Sequence, residues 1–338
     1  MSQKLIVIAG VTGTQGGSVA RHFLPHKDWR IRGITRNPDS PKAKQLAEQG
    51  VELAQGDYDD TQSLRKAFEG AHAIFAVTDY TSVWTRVSES EDLKKKAAEQ
   101  GLTINEYARE LEIKQGLGLV SAASDPAVLS GLEHFVWSTL TAIKKISGGR
   151  YTNACQFDSK AAVEDHIREN VPELSKRMST VNMGAYQENV RDQPIFAPYK
   201  EADGSGYYFV KLKSSGQHKT VPELWSTQDS GVFVEALVRH HPPGTDVLGA
   251  SEILTKDEYA EKWGRVLGVK ASAKALTEEE LKPLLPEGFE DEVYEWFHFV
   301  PEYGYTGGNP KVKTPQELGI KTTPLERFFE SEDWSQYL

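Results

Sequence analysis

Near the start of the chain, five consecutive apolar residues, Leu5-Ile6-Val7-Ile8-Ala9, run directly into a turn with glycines at Gly10, Gly13 and Gly16, and a helical pattern follows from Ser18 to Leu24. An apolar run of this kind suits a central parallel strand buried on both faces. The G-x-x-G-x-x-G spacing divides three tasks. Gly10 allows a tight strand-to-helix turn, Gly13 lets the backbone approach a pyrophosphate, and Gly16 permits helix and strand to pack closely. A helix that begins there offers unpaired N–H donors and the positive end of its dipole to an anion. Thr12, Thr14 and Gln15, between the glycines, are candidate contacts to a dinucleotide with them.

The alternation continues downstream. Strand patterns at Arg30–Thr35, Val51–Gln55, Ala73–Val77 and Glu133–Ser138 are interleaved with helical patterns at Pro41–Gln49 and Thr61–Glu69. Strands separated by helices imply right-handed crossovers and an α/β fold of Rossmann type, a doubly wound parallel sheet. The long interval Thr78–Leu132 holds polar helical stretches around Ser88–Gln100 and Asn105–Gly116, so a helical insertion is expected at about residues 84–125. Its charged face reads as solvated, with a partner surface as the alternative. Beyond Asn182 the rhythm is broken by Pro194, Pro198, Pro242-Pro243-Gly244, Pro283, Pro286 and Pro301. The expected division is a dinucleotide-binding domain over residues 1–182 and a smaller C-terminal α+β lobe over 183–338, with strands and helices exchanged between them.

Composition removes several function classes. Lys and Arg number 39 against 49 Asp and Glu, a formal charge of -10 that repels polyphosphate backbones, so direct nucleic-acid binding is not expected. The single cysteine, Cys155, excludes an internal disulfide and a multi-cysteine metal site, and the nine histidines show no ligand spacing; no metal is expected. No apolar run nears the length of a bilayer, and the N-terminus lacks the charged start and cleavage site of a signal peptide. A cytoplasmic protein with no membrane contact is expected.

Residues after the later strands refine the cofactor. Ile31-Arg32-Gly33-Ile34-Thr35 ends in Arg36, followed by Asn37-Pro38 with no carboxylate beside it. A guanidinium there forks onto a ribose 2′-phosphate, so NADP(H) is expected in preference to NAD(H); a plain surface arginine is the alternative. Asp57 is placed to accept a hydrogen bond from the adenine amino group, with Tyr58 beside it, whereas Asp59 and Asp60 read as helix caps. Val77 and Thr78, ending the fourth strand, fall near the bridging ribose and pyrophosphate by analogy with the fold.

With the glycine turn, Arg36, Asp57, the phrase His134-Phe135-Val136-Trp137-Ser138-Thr139-Leu140 and Phe157-Asp158-Ser159-Lys160-Ala161 in view, the chain resembles the NmrA-like family of atypical short-chain dehydrogenases. Met183-Gly184-Ala185-Tyr186-Gln187-Glu188-Asn189, Gln228-Asp229-Ser230-Gly231, Glu252–Glu258 and Pro301–Tyr305 extend the resemblance over most of the chain. It places Met183 and Gly184 among the cofactor contacts. The resemblance implies one of two activities: reduction of a small molecule, or sensing of the cofactor by a regulator that engages a transcription factor or another protein.

The catalytic residues are less standard. Ordinary short-chain dehydrogenases carry a tyrosine four residues before the lysine, and here that position is Gln156, which cannot exchange a proton. Three readings of Lys160 stay open. It holds the nicotinamide ribose, it donates or relays a proton, as similarity to the family's enzymatic relatives in the isoflavone reductase branch implies, or it is a solvated lysine paired with Glu164. Ser138 and Thr139 either polarise a substrate carbonyl or cap the turn after the fifth strand. Tyr151 and Tyr186 are candidates for the missing phenol, Tyr186 being favoured because it follows the sixth strand; a pocket wall is its alternative. Cys155 reads as a buried inert thiol rather than a redox sensor. The cluster Tyr294–Phe299 reads as lobe core or as pocket lining. The expected activity is NADP(H)-dependent reduction of a small aromatic or unsaturated carbonyl-type substrate, and the alternative is an NADP(H)-sensing protein that binds a regulatory partner.

Overall fold

The structure, a computed structural model, describes residues 3–213 and 216–338. Strand β1 (Lys4–Ile8) is buried along nearly its whole length and pairs in parallel with β2 (Trp29–Thr35) on one side and β4 (Ala73–Ala76) on the other. Outside β2 lies β3 (Glu52–Gln55), and outside β4 lie β5 (His134–Thr139) and β6 (Met178–Met183). Two further parallel strands, Asp246–Gly249 and Val312–Lys313, complete an eight-stranded sheet. The chain runs outward from β1 to β3, then returns to β4 on the opposite side of β1. That reversal opens a crevice at the carboxyl ends of β1 and β4, where α/β sheets bind ligands.

The first helices, α1 (Thr14–Phe23), α2 (Pro41–Glu48) and α3 (Thr61–Phe68), alternate with β1–β4. Ser40 caps α2, and Asp60 caps α3 through the amides of Gln62 and Ser63. Asp59 caps nothing; its carboxylate pairs with Arg86 at 2.9 Å and receives Gln115, which corrects its expected role. The helix Ser226–His240, from beyond residue 183, lies on α1 so closely that a Cβ on Gly231 would stand 2.4 Å from the Ser18 carbonyl. Two of the eight sheet strands also come from beyond residue 183.

Between β4 and β5 stand α4 (Tyr80–Glu89), α5 (Glu91–Glu99) and α6 (Ile104–Ala123). The solvated reading of this stretch fails for α6. A capping box from Thr103 and Glu106 starts it, and Tyr107, Ala108, Glu112, Gly116, Leu119, Val120, Ala122 and Ala123 are buried. Gly116 permits close approach to the helix Cys155–Asn170, since a Cβ there would meet Val163 at 2.5 Å. Helix α6 is therefore the packed crossover itself, and α4, α5 and the single turn Pro126–Leu129 are additional.

The C-terminal lobe carries two three-stranded sheets. One joins Ala185–Tyr186, Thr220–Leu224 and Glu252–Thr255; the other joins Tyr199–Lys200, Tyr207–Leu212 and Ala271–Leu276. Its core is aromatic, with Phe209, Tyr259, Trp263, Phe328, Phe329 and Trp334 in mutual contact. Among the described residues no helix is long and apolar enough to cross a membrane.

Candidate functional site

The crevice begins at the glycine turn. Gly10 has a φ of +65°, and its carbonyl accepts the Gly13 amide at 2.9 Å. A Cβ on Gly16 would lie 2.2 Å from that same carbonyl, so helix and turn touch backbone to backbone. No side chain caps α1, and its first turn contains no acid. Gly13 and Thr14 are exposed, so the amides at the helix start face outward with the positive dipole end behind them. Gln15 adds a buried amide oxygen, Oε1, without a hydrogen-bond partner among the described residues. An open turn and an uncapped helix fit the diphosphate of a dinucleotide, and the orphaned Gln15 oxygen, an acceptor, suits a donor such as a ribose hydroxyl.

The flanking residues are arranged around Gly10. Val77 and the Tyr58 hydroxyl border it, at 3.5 and 3.3 Å from where a Cβ would stand. Burial raises the Tyr58 pKa, Asp79 adds to this, and Arg36 opposes it. The Arg36 guanidinium is exposed and forms no ion pair among the described residues. Asp57 is exposed too, but one of its oxygens accepts the Asp59 amide at 3.0 Å within its own turn. Two of the expected contacts are already engaged inside the protein: the Met183 carbonyl accepts Tyr305 Oη at 2.6 Å, and the Gly184 amide donates to Gly249 at 2.8 Å.

Lys160 differs most from expectation. It is 5% exposed, so it is no solvated lysine, and Glu164 pairs with Arg168 at 2.8 Å instead. Its ammonium bonds the Glu112 carboxylate on α6, the Thr78 carbonyl at 3.1 Å and Thr78 Oγ1 at 3.2 Å. Those three acceptors match the three donors of an ammonium group. The second Glu112 oxygen takes the Ser159 hydroxyl. At the end of β5, Ser138 Oγ is buried without a partner among the described residues, and Thr139 Oγ1 donates to the Leu140 carbonyl at 3.3 Å.

The helix Glu290–Tyr303 closes over this cluster. Glu292 accepts the Gln156 amide at 3.2 Å, and Glu295 receives both the amide and the side chain of Asn153, so two carboxylates serve the start of the Lys160 helix. Burial pushes the Cys155 thiol up to about 12, a position in which little thiolate exists. Burial likewise raises the Glu292 carboxyl from 4.5 to about 8, with the Gln156 amide opposing. A carboxyl that holds its proton more tightly folded than unfolded stabilises the fold in acid, and that contribution declines as pH rises between those two values. Melting temperatures of wild type should therefore fall across this window. Glu292→Gln should flatten that slope and melt higher than wild type at its alkaline end; parallel curves would contradict the burial of an acid here.

Beside the crevice lies a cavity of about 500 Å³ within the C-terminal lobe. Phe196, Phe209, Trp296 and Phe297 form much of its wall, so the Tyr294–Phe299 cluster is partly pocket lining, while Phe299 is core. Tyr186 stands where cavity and crevice meet: it lines the cavity, and its hydroxyl accepts Gln15 Nε2 at 2.6 Å. Gln187, Glu223 and Tyr259 form a buried chain of hydrogen bonds along the same wall, joined by Lys256.

A model of the NmrA-like family matches residues 2–338. The chain belongs to the NmrA-like family. It is 30% identical over 279 residues, 81% of this chain and 75% of the relative, to the NmrA-like family domain-containing oxidoreductase hkm9 of Aspergillus hancockii. Among solved structures it is similar to NmrA, a negative transcriptional regulator in complex with NAD, with a TM-score of 0.71, 18% identity and coverage of 100% and 97% of the two chains. It is also similar to the Citrobacter sp. triphenylmethane reductase complexed with NADP(H), with a TM-score of 0.63, 21% identity and full coverage of both chains.

In this NmrA-like chain the structure brings Gly10, Thr12, Gly13, Thr14, Gln15, Gly16, Arg36, Tyr58, Val77 and Thr78 to one crevice, with Lys160 beneath Thr78 and Tyr186 at the cavity side. Sequence reasoning missed Glu112, although its neighbours Leu111 and Ile113 hinted that this charge was not at the surface. It also missed the Gln187–Glu223–Tyr259 chain. Among the described residues no group of His, Cys, Asp or Glu is placed to hold a metal.

Proposed function

We propose that this protein is an NADP(H)-dependent reductase of a small aromatic or unsaturated carbonyl-type compound, with the cofactor in the crevice and the substrate in the adjoining cavity. The observation that carries the reading is Tyr186, a phenol bordering both spaces. Gln15 donates to its oxygen, so the phenolic hydrogen stays available to a substrate carbonyl. Burial raises its pKa, and the Gln15 bond works in the opposite direction, easing proton release. Tyr186 therefore begins the reaction protonated and serves as the proton donor that Gln156 cannot be.

The other roles follow from position. The free amides at the start of α1, from Thr14 onward, hold the pyrophosphate, and Arg36 takes the 2′-phosphate. When bound, the nicotinamide supplies the hydride. Lys160, with all its donors engaged, fixes Thr78 and the floor of the crevice as a positioning residue. Relatives named as oxidoreductases support this reading.

Tyr186→Phe should lower kcat by about 100-fold or more, the range lost with a general acid, while NADPH affinity changes little. Single-turnover NADPH oxidation with an aromatic aldehyde checks it; unchanged turnover removes Tyr186 from the chemistry. Arg36→Glu should abolish the preference for NADPH over NADH in fluorescence titrations, and a wild type without such preference overturns the phosphate assignment.

A further inference from the structure

The cavity beside Tyr186 has a charge pattern that hydride transfer does not explain. Its lining includes four lysines, Lys211, Lys213, Lys219 and Lys256, but only two carboxylates, Glu223 and Asp257. Two of the lysines are matched: Lys256 bonds Glu223 at 2.8 Å, and Lys211 bonds Asp257 at 2.5 Å. Lys213 and Lys219 are exposed and have no acidic partner among the described residues. A local excess of positive charge at the mouth of an aromatic cavity runs against a chain whose net charge is -10. Such an excess raises the local concentration of anions and orients them on entry.

Deeper in, the polar groups are already satisfied by one another. Tyr259 donates to Gln187, Gln187 donates to Glu223, and Lys256 occupies the other Glu223 oxygen. Most of the remaining lining is rings and aliphatic side chains. We infer that the cavity takes a flat aromatic molecule carrying a carboxylate, with the carboxylate at Lys213 and Lys219, the rings among Phe196, Phe209 and Trp296, and the far end at Tyr186. Assigning the far end as the reducible one rests on the reductase reading; the charge preference does not.

A matched pair of fluorescent probes tests this on the full chain: anilinonaphthalene sulfonate, an anion of the expected shape, and its uncharged parent phenylnaphthylamine. The sulfonate should bind more tightly than the parent, and Lys213→Ala/Lys219→Ala should weaken it by about tenfold while the parent changes by less than about twofold. Ala275→Trp, on the cavity wall, should exclude both probes. Equal affinity for the two probes in wild type overturns the inference. So does equal weakening of both in the double variant, or sulfonate binding that survives Ala275→Trp. NADPH oxidation by aromatic aldehydes with and without a carboxylate is read on the same preparations. Turnover with no charge preference overturns this inference alone, and charge-selective binding without any turnover overturns the reductase reading alone.

Discussion

Lys160→Met should destabilise the protein by about 3–5 kcal/mol, because it leaves the Glu112 carboxylate buried without its countercharge. Glu112 is 1% exposed, and the Ser159 hydroxyl on its other oxygen cannot replace an ammonium. The double variant Lys160→Met/Glu112→Leu should recover all but about 1–3 kcal/mol, the cost of the polar groups on Ser159 and Thr78 that lose a partner. Urea denaturation of wild type, both single variants and the double variant gives the coupling directly. A purely catalytic lysine predicts the opposite, with stability unchanged in the single variant. If single and double variants prove equally unstable, the buried pair is not what holds α6 to the Lys160 helix.

Gly16→Ala should abolish dinucleotide binding and destabilise the first crossover, while Gly17→Ala next to it should be tolerated. At Gly16 the added carbon meets backbone on every side: the Gly10 carbonyl oxygen at 2.2 Å, its carbon at 2.6 Å and Val11 Cα at 2.9 Å. None of these can rotate away, so α1 must lift off the turn and carry its amides with it. At Gly17 the nearest atom is the Val11 carbonyl at 3.5 Å, an ordinary contact, and alanine favours a helix by about 1 kcal/mol over glycine. Calorimetric titration with NADPH and thermal melts of both variants check the pair. Retained cofactor affinity in Gly16→Ala would remove the turn from the binding site.

Why these features differ in legibility comes down to sequence distance. The turn from Leu5 to Gly17 was readable because its strand, glycines and helix are contiguous, and each residue type acts on its own backbone. For Lys160 only the surface-pair alternative fails, and for the opposite reason. Local spacing offered Glu164, one helical turn away, whereas the partner in the structure is Glu112, 48 residues earlier on a helix that looked polar enough to be solvated. Helix α6 deceived in the same way, since Glu110, Glu112 and Lys114 hide an alanine- and leucine-rich face that only the sheet reveals. Tyr186 was a candidate by its place after β6, but its link to Gln15 spans 171 residues and has no local signature. In the cluster Tyr294–Phe299 the helical period sends adjacent aromatics to different faces, so composition alone could not separate pocket from core.

That same helix, Glu290–Tyr303, touches the Lys160 helix through Glu292 and lines the cavity through Trp296, one turn further along the same face, and Phe297. A helix that touches both sites couples them only to the extent that it moves when either is filled. Linkage requires the effect to be reciprocal, so whatever factor an occupied cavity applies to cofactor affinity, the bound cofactor applies to the cavity. Cofactor affinity measured with the cavity empty and with it occupied reads that factor, and because it is an equilibrium quantity the order of addition leaves it unchanged.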